Sequence, residues 1–447
     1  MTFIFYDTET TGLKPAFDQI TQFAAIATDD DFNILEEVNL RCRLQPHVLP
    51  SPGAMFITKV GPKAIQSAPL SCYEMVKAIR AFIQKHSPAV LVGFNSISYD
   101  ENMLRQALYQ HLHPVYQTNT NGNTRLDVLR LAHAVAAYRP DAITVPENEK
   151  GKPTFKLGRL IEANGLVLDN AHDAQADTRA TLALAKYLKE RAPEVWDSLY
   201  ACRSKTLANL AVLALPMFLC TDRAFARHTI LAGFICASPN GHAVFDLAYD
   251  PALYLDVDAE RARTLLKSSP RPIRVLKVNN LPIIHPYKPD IDVGVDVKTA
   301  QERLSRIRQH PTFATTITQA LEGQYDDKEP SPHIEEQIFG GFPSNTDQRR
   351  MERFHAAAWV ERYELSRGFE DSRYQQFAER LLYAEYPEGL PTDKRLALDE
   401  WTRARIFATG DVPWLTYEKA KIELEEIRGM AEEAHRDLVK EISEQYA

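Results

Sequence analysis

The chain opens on a continuous apolar run, residues 2–8 (TFIFYDT). Such a run suits a central strand buried on both faces. Strand-like stretches follow at 19–28 and 32–43. Between Ser71 and His86, apolar Met75, Val76, Ile79, Phe82 and Ile83 recur at helical spacing and predict an amphipathic helix. A short apolar strand at Ala89–Gly93 precedes a helix from about Asp100, and residues 126–138 and 173–190 read as helices. Strands first, then strand–helix alternation, predict an α/β domain with a mixed sheet. The prolines at 140, 146 and 153 mark 139–153 as an extended loop within it.

The texture changes near residue 195. From about 206 to 290, short apolar stretches (TILAGFICA, AVFDLAY, IRVLKV) alternate with prolines and Asn240-Gly241, which predicts a small β-rich domain. Residues 298–322 read as helical and 329–345 as a linker. The rest is helical and ends in one long amphipathic segment from about Tyr417 to Tyr446. Its mixed charge and modest apolar stripe suit packing within its own domain rather than a free coiled coil. The fold class is therefore α/β + β + α multidomain, with boundaries at 1–195, 196–330 and 334–447.

Composition changes this picture little. The chain has 447 residues, too many for one ordinary core, and a common balance of 45% hydrophobic and 25% charged positions. No apolar run approaches the 18 or so residues of a membrane span, and the start MTFIFYDTET lacks a signal-peptide pattern, so a cytoplasmic location is expected. The five cysteines are scattered, without a CxxC pair, and read as buried reduced thiols. A net charge of -8 does not exclude a nucleic-acid partner, because the local field matters more than the total.

The candidate chemistry lies in three places. Asp7 and Glu9 stand two apart at the end of the first strand, so both point to one face. Paired carboxylates repel unless a cation lies between them, and a hard divalent ion with oxygen ligands fits. Asp100 opens a helix after the strand at 89–93 and by itself also fits a helix N-cap. In His172-Asp173-Ala174-Gln175-Ala176-Asp177, a cap at Asp173 leaves His172 on the preceding loop, free to turn toward the side of Asp177. Asp177 lies near the positive end of that helix. His111 and His113, before Pro114, read as solvated histidines rather than a metal site.

Four carboxylates and a histidine on these elements, in this order, resemble the DEDD exonuclease superfamily in its histidine-bearing branch. The segments 49–58 (LPSPGAMFIT), 145–165, 170–189 and 335–342 (EEQIFGGF) narrow the resemblance to the bacterial exonuclease I family. The similarity is strong across 1–205, patchy across 206–330 and recognisable again from 334. It implies a ribonuclease-H-like exonuclease domain, an SH3-like β domain and a C-terminal helical domain. It implies 3′→5′ hydrolysis of single-stranded DNA to 5′-mononucleotides, with a role in DNA repair and recombination. Asp7, Glu9, Asp100 and Asp177 would hold two Mg²⁺ ions, with Mn²⁺ as a substitute, and His172, with a reference pKa of about 6.5, would take the proton from water.

The resemblance also assigns substrate contacts. Glu9, Thr10 and Leu13 would meet the terminal nucleotide, and Arg105, Arg130 and Lys205 match basic positions that meet DNA. Lys156 stands where the family pattern carries arginine, so it keeps the charge and loses the bidentate fork. The loop 114–124 offers only Tyr116 where the family is aromatic-rich, and Ala384-Glu385 replaces an expected basic position. Single-strand DNA-binding protein is the expected partner and a monomer the expected state. Two other functions fit parts of the same pattern: a related exonuclease acting on RNA or in proofreading, and a non-catalytic single-strand-binding scaffold.

Overall fold

The computed structural model describes every residue except 168–172, 223–227, 240, 268, 323–328 and 431–432. The chain divides into two compact units. The first contains Met1–Asn123, Asp169–Arg179 and Pro330–Ala447. The second contains Thr124–Leu168 and Ala180–Glu329. Among the described residues, no helix is long and apolar enough to cross a membrane.

The first unit is built on β1 (Thr2–Thr10), β2 (Ile20–Thr28), β3 (Ile34–Arg41) and β4 (Ala89–Gly93). β1 pairs antiparallel with β2 and parallel with β4, and β2 pairs antiparallel with β3. The parallel pair explains the unbroken apolar runs, since Phe3, Ile4, Phe5 and Tyr6 on β1 and Ala89–Val92 on β4 are all buried. The helix Cys72–His86 starts on a capping box made by Ser71 and Glu74 and buries the stripe Met75, Val76, Ile79, Phe82 and Ile83 on the sheet. The next helix, Asp100–Gln110, begins with Asp100 already inside it. Tyr99 holds the cap position, so the Asp100 carboxylate is not a cap.

The C-terminal helices complete this unit, and two expectations are corrected there. The segment from Tyr417 to Tyr446 is two helices, Tyr417–Met430 and Arg436–Gln445, separated by a short turn at Glu433–His435. Its apolar stripe is not kept within the C-terminal region. Ala420, Leu424, Ile442 and Tyr446 pack with Met55 and Ile65. The stretch 329–345 is no simple linker either. Ile334 and Glu335 are buried, and a helical turn runs from Ile334 to Phe339. Burial of a carboxylate between two arginines anchors what its Pro, Gly and Ser content marks as loose.

The second unit carries β5 (Thr124–Asp127) and the strands β6 (Met217–Thr221), β7 (Thr229–Ser238), β8 (Gly241–Asp246), β9 (Ile273–Leu276) and β10 (Ile283–Pro286). The last five form an antiparallel sheet in the order β10-β6-β7-β8-β9. At Gly241 (φ 137°) a Cβ would lie 2.9 Å from the Leu276 carbonyl oxygen, which is why glycine stands there. Asn240 lies outside the described residues. The stretch 298–322 is two helices, Val297–Gln309 and Phe313–Glu322, interrupted at His310-Pro311, because proline cannot continue the first. All five cysteines are buried and free.

Candidate active site

β1 delivers Asp7 and Glu9 to one face at its C-terminal end, just before a register shift between Glu9 and Thr10. The helix Ala174–Arg191 brings Asp177 to the same place. One carboxylate oxygen from each of Asp7, Glu9 and Asp177 can be chosen so that all lie within 4.8 Å of one another. Asp100 stands outside that tight triple and accepts a hydrogen bond from the Thr8 hydroxyl at 2.5 Å. Its charge still reaches the cluster, because it helps raise the pKa of both Asp7 and Glu9.

The electrostatics show how poorly this arrangement is neutralised. Burial, then Asp100, Glu9 and Asp177, push Asp7 well above the usual carboxylate range. Burial, then Asp177 and Asp100, push Glu9 up to about 8, and Arg41 pulls it back only in part. A site of hard oxygen donors whose ionised state is strained by mutual repulsion has the chemistry of a divalent-cation site.

Several supporting side chains could not be read from spacing. Glu9, Gln22 and Arg41 lie in register across β1, β2 and β3. Arg41 pairs with Asp173 at 2.5 Å, and Gln22 also donates to Asp173. Asp173 in turn accepts from the Gln175 amide at 3.0 Å and so caps the helix that carries Asp177. Farther along, Arg179 pairs with Glu37 of β3 at 2.6 Å. The sheet thus fixes the helix start that presents Asp177. The only sequence signal for this was the Asp173 cap; Arg41 required the strand register. His172 lies outside the described residues.

The other candidates are placed as follows. The Tyr99 hydroxyl donates to the Gly12 carbonyl at 2.7 Å and lies 2.6 Å from the Thr10 hydroxyl, which locks the turn after β1. Leu13 projects from that turn with 83% exposure. Arg105, one turn beyond Asp100, pairs with buried Glu101 at 2.6 Å and lies over the Tyr116 ring at 5.2 Å. Arg130, Lys156 and Lys205 belong to the second unit. Arg130 donates to the Leu281 carbonyl at 3.5 Å. Lys156 and Lys205 are exposed at the starts of the helices Leu157–Ala163 and Lys205–Ala214.

His111 and His113 overturn the expectation of solvated rings. Both are buried, and His113 stacks on His355 with ring centroids 4.0 Å apart. His355 lies 2.9 Å from the Tyr73 hydroxyl and 3.0 Å from the Leu112 carbonyl, so the ring serves as a bridge to the C-terminal helices. Burial pushes His111 and His355 down to about 4, and pushes His113 lower still.

The chain is similar to known proteins. The exonuclease family profile matches residues 4–185, and the exonuclease I C-terminal domain profile matches 332–447. The chain is 31% identical to exodeoxyribonuclease I of Escherichia coli (strain K12) over 373 residues, 78% of each chain. The chain belongs to the exodeoxyribonuclease I family. Among solved structures, the exonuclease I of Methylocaldum szegediense superposes with a TM-score of 0.88 at 26% identity, over 100% of this chain and 98% of that one. Exonuclease I of E. coli, solved with the oligonucleotide dT13, superposes with a TM-score of 0.86 at 25% identity over the full length of both chains. Asp7, Glu9 and Asp177 all lie within the residues that the exonuclease profile matches, in a phosphodiester-hydrolase domain of a type that uses divalent metal ions.

Proposed function

We propose that the chain hydrolyses single-stranded DNA to 5′-mononucleotides with Mg²⁺ held by Asp7, Glu9, Asp100 and Asp177, and that it serves DNA repair and recombination in the cytoplasm. As an exodeoxyribonuclease I family member, it is a 3′→5′ exonuclease of single-stranded DNA. E. coli exonuclease I has been solved with dT13 and with dA16, and an exonuclease I structure also contains SSB. Single-stranded DNA and single-strand DNA-binding protein are accordingly its proposed partners, and the working form is a monomer. The proposed domains are the nuclease domain 1–195, the SH3-like domain 196–330 and the helical domain 334–447.

One observation carries the metal reading: the Asp7–Glu9–Asp177 triple, with oxygens within 4.8 Å and too little positive charge around it. Divalent ions, when bound, supply a nucleophilic water at neutral pH and charge neutralisation at the phosphate. Two ions balance four carboxylates, and Mn²⁺ satisfies the same oxygens. His172 accepts the proton from the attacking water. Glu9 orients the terminal nucleotide, Thr10 and the exposed Leu13 bound its pocket, and Arg105, Arg130, Lys156 and Lys205 meet the strand's phosphates.

A time course with 5′-labelled single strands, matched duplexes and matched RNA tests the reading. Shortening of the DNA strand from its 3′ end, with mononucleotide release and chelator sensitivity, is expected. Release of longer fragments, attack from the 5′ end, or equal cutting of RNA would contradict it.

A further inference from the structure

A second charged cluster lies in the first unit, remote in sequence from Asp7 and Glu9. Glu335 is buried, and one of its oxygens accepts from both Arg380 (2.9 Å) and Arg405 (2.8 Å). The three side chains are 2%, 11% and 6% exposed. Two positive charges against one negative leave a net positive centre in a desolvated place.

Both guanidiniums lie over aromatic rings. Arg380 lies 4.2 Å from the Trp401 ring centroid, and Arg405 lies 4.6 Å from that of Trp414 and 5.5 Å from that of Phe17. The N–H groups of a guanidinium lie in its plane, so its edges are its hydrogen-bonding side. Glu335 takes one N–H from each arginine, and among the described residues neither guanidinium has another hydrogen bond. Both arginines, Glu335, Trp401 and Trp414 line one cavity of about 320 Å³. That volume lies within the range of about 300–1,000 Å³ usual for small-molecule sites.

We propose that this cavity is an oxyanion site that takes a phosphate group on the free edges of Arg380 and Arg405. The planar fork of arginine matches phosphate oxygens in pairs, and an added anion completes the neutralisation that Glu335 begins. Both guanidiniums are pulled below the ordinary arginine range by burial, which an incoming anion relieves. Phe17, under Arg405, lies in the turn that follows β1, so the cavity adjoins the segment that also holds Thr10 and Leu13. The phosphate has two sources: a free 5′-mononucleotide, or a phosphodiester of the bound strand. The second source rests on the exonuclease reading and the first does not.

The test uses the full chain in chelator, which removes metal-dependent binding at the carboxylates. Tryptophan fluorescence and equilibrium dialysis follow titration with inorganic phosphate, 5′-dTMP and a short oligo-dT. Saturable binding of phosphate and 5′-dTMP at millimolar concentration or below, weakened at least ~10-fold in Arg405→Lys because lysine lacks the fork, is expected. Saturation by the oligomer alone, with the same loss in Arg405→Lys, assigns the strand as source. If Arg405→Lys does not fold, Trp401→Phe serves instead, and its loss of the fluorescence response with binding retained supports the site. The proposal is overturned if none of the three probes saturates in the wild-type chain. It is equally overturned if an aspartate-rich peptide binds there and phosphate does not, or if both variants leave dialysis and fluorescence unchanged.

Discussion

Two clusters of charge in the same unit, one half-buried and one buried, are held by opposite means. At Asp7, Glu9 and Asp177, like charges converge, and Glu9 is pushed up to about 8. At Glu335, Arg380 and Arg405, opposite charges converge, and the two arginines hold Glu335 below the usual range although burial alone would raise it. Desolvation acts in the same direction on both glutamates. The difference is the nearest countercharge, which the protein itself supplies at Glu335 and leaves to a cation at Glu9. One site is neutralised within the fold, and the other is left strained by its own repulsion.

The largest expected effect removes chemistry from the strained cluster. His172→Ala should lower turnover by about 10²–10⁴-fold while metal still binds. Asp177→Ala should lose turnover at least as severely and lose metal affinity as well, as read by calorimetric Mn²⁺ titration. Near-wild-type turnover in both variants would dissolve the assignment.

Breaking the paired cluster should act on stability instead. Glu335→Gln leaves two buried guanidiniums facing one another, and should cost about 3–5 kcal/mol in denaturant unfolding. An unchanged midpoint would mean that the triad is not a stabilising contact.

The opposite sign is expected at Glu9. Its pKa is raised in the folded chain, so its contribution to stability is fully present below about pH 4.5 and is lost as pH rises through about 8. Metal-free Glu9→Gln should therefore melt higher than the wild-type chain, with a gap that widens from pH 5 to pH 8 and narrows when Mg²⁺ is added. Each kcal/mol is worth roughly 2–4 °C in a domain of 150–250 residues. A gap independent of pH would remove the electrostatic explanation. The histidines bound stability from the acid side. His111 and His355 are depressed to about 4, so their contribution is complete above about 6.5 and is lost as pH falls toward 4.

The smallest effect is expected at Arg41. Arg41→Met should remove the tie to Asp173 and lower turnover by roughly 10-fold, equivalent to about 1.4 kcal/mol. Arg41→Lys should restore most of it, and the apparent pKa of the pH–rate profile should shift, which a merely structural tie would not produce.

Much of the first unit was legible in the residue pattern, because its central strands are unbroken apolar runs and its helices carry apolar stripes at 3.6-residue spacing. Asp7 and Glu9 followed from strand alternation, and the Asp173 cap from helix-start chemistry. Errors came where a single side chain outweighed local composition. Pro, Gly and Ser made 329–345 look like a linker until Glu335 found two arginines. His111 and His113 looked solvated at a helix end before proline until His355 and the C-terminal helices covered them.

By itself the sequence determined the periodic elements, the identity of the donors and their order along the chain, since these depend on neighbours a few positions apart. Only the tertiary structure decided that Arg41 reaches Asp173, that Glu9 lacks an adequate countercharge, and that Glu335 has more than enough. Those outcomes depend on strand register and on groups 45 to 132 positions apart meeting where water is scarce, and no local pattern encodes that meeting.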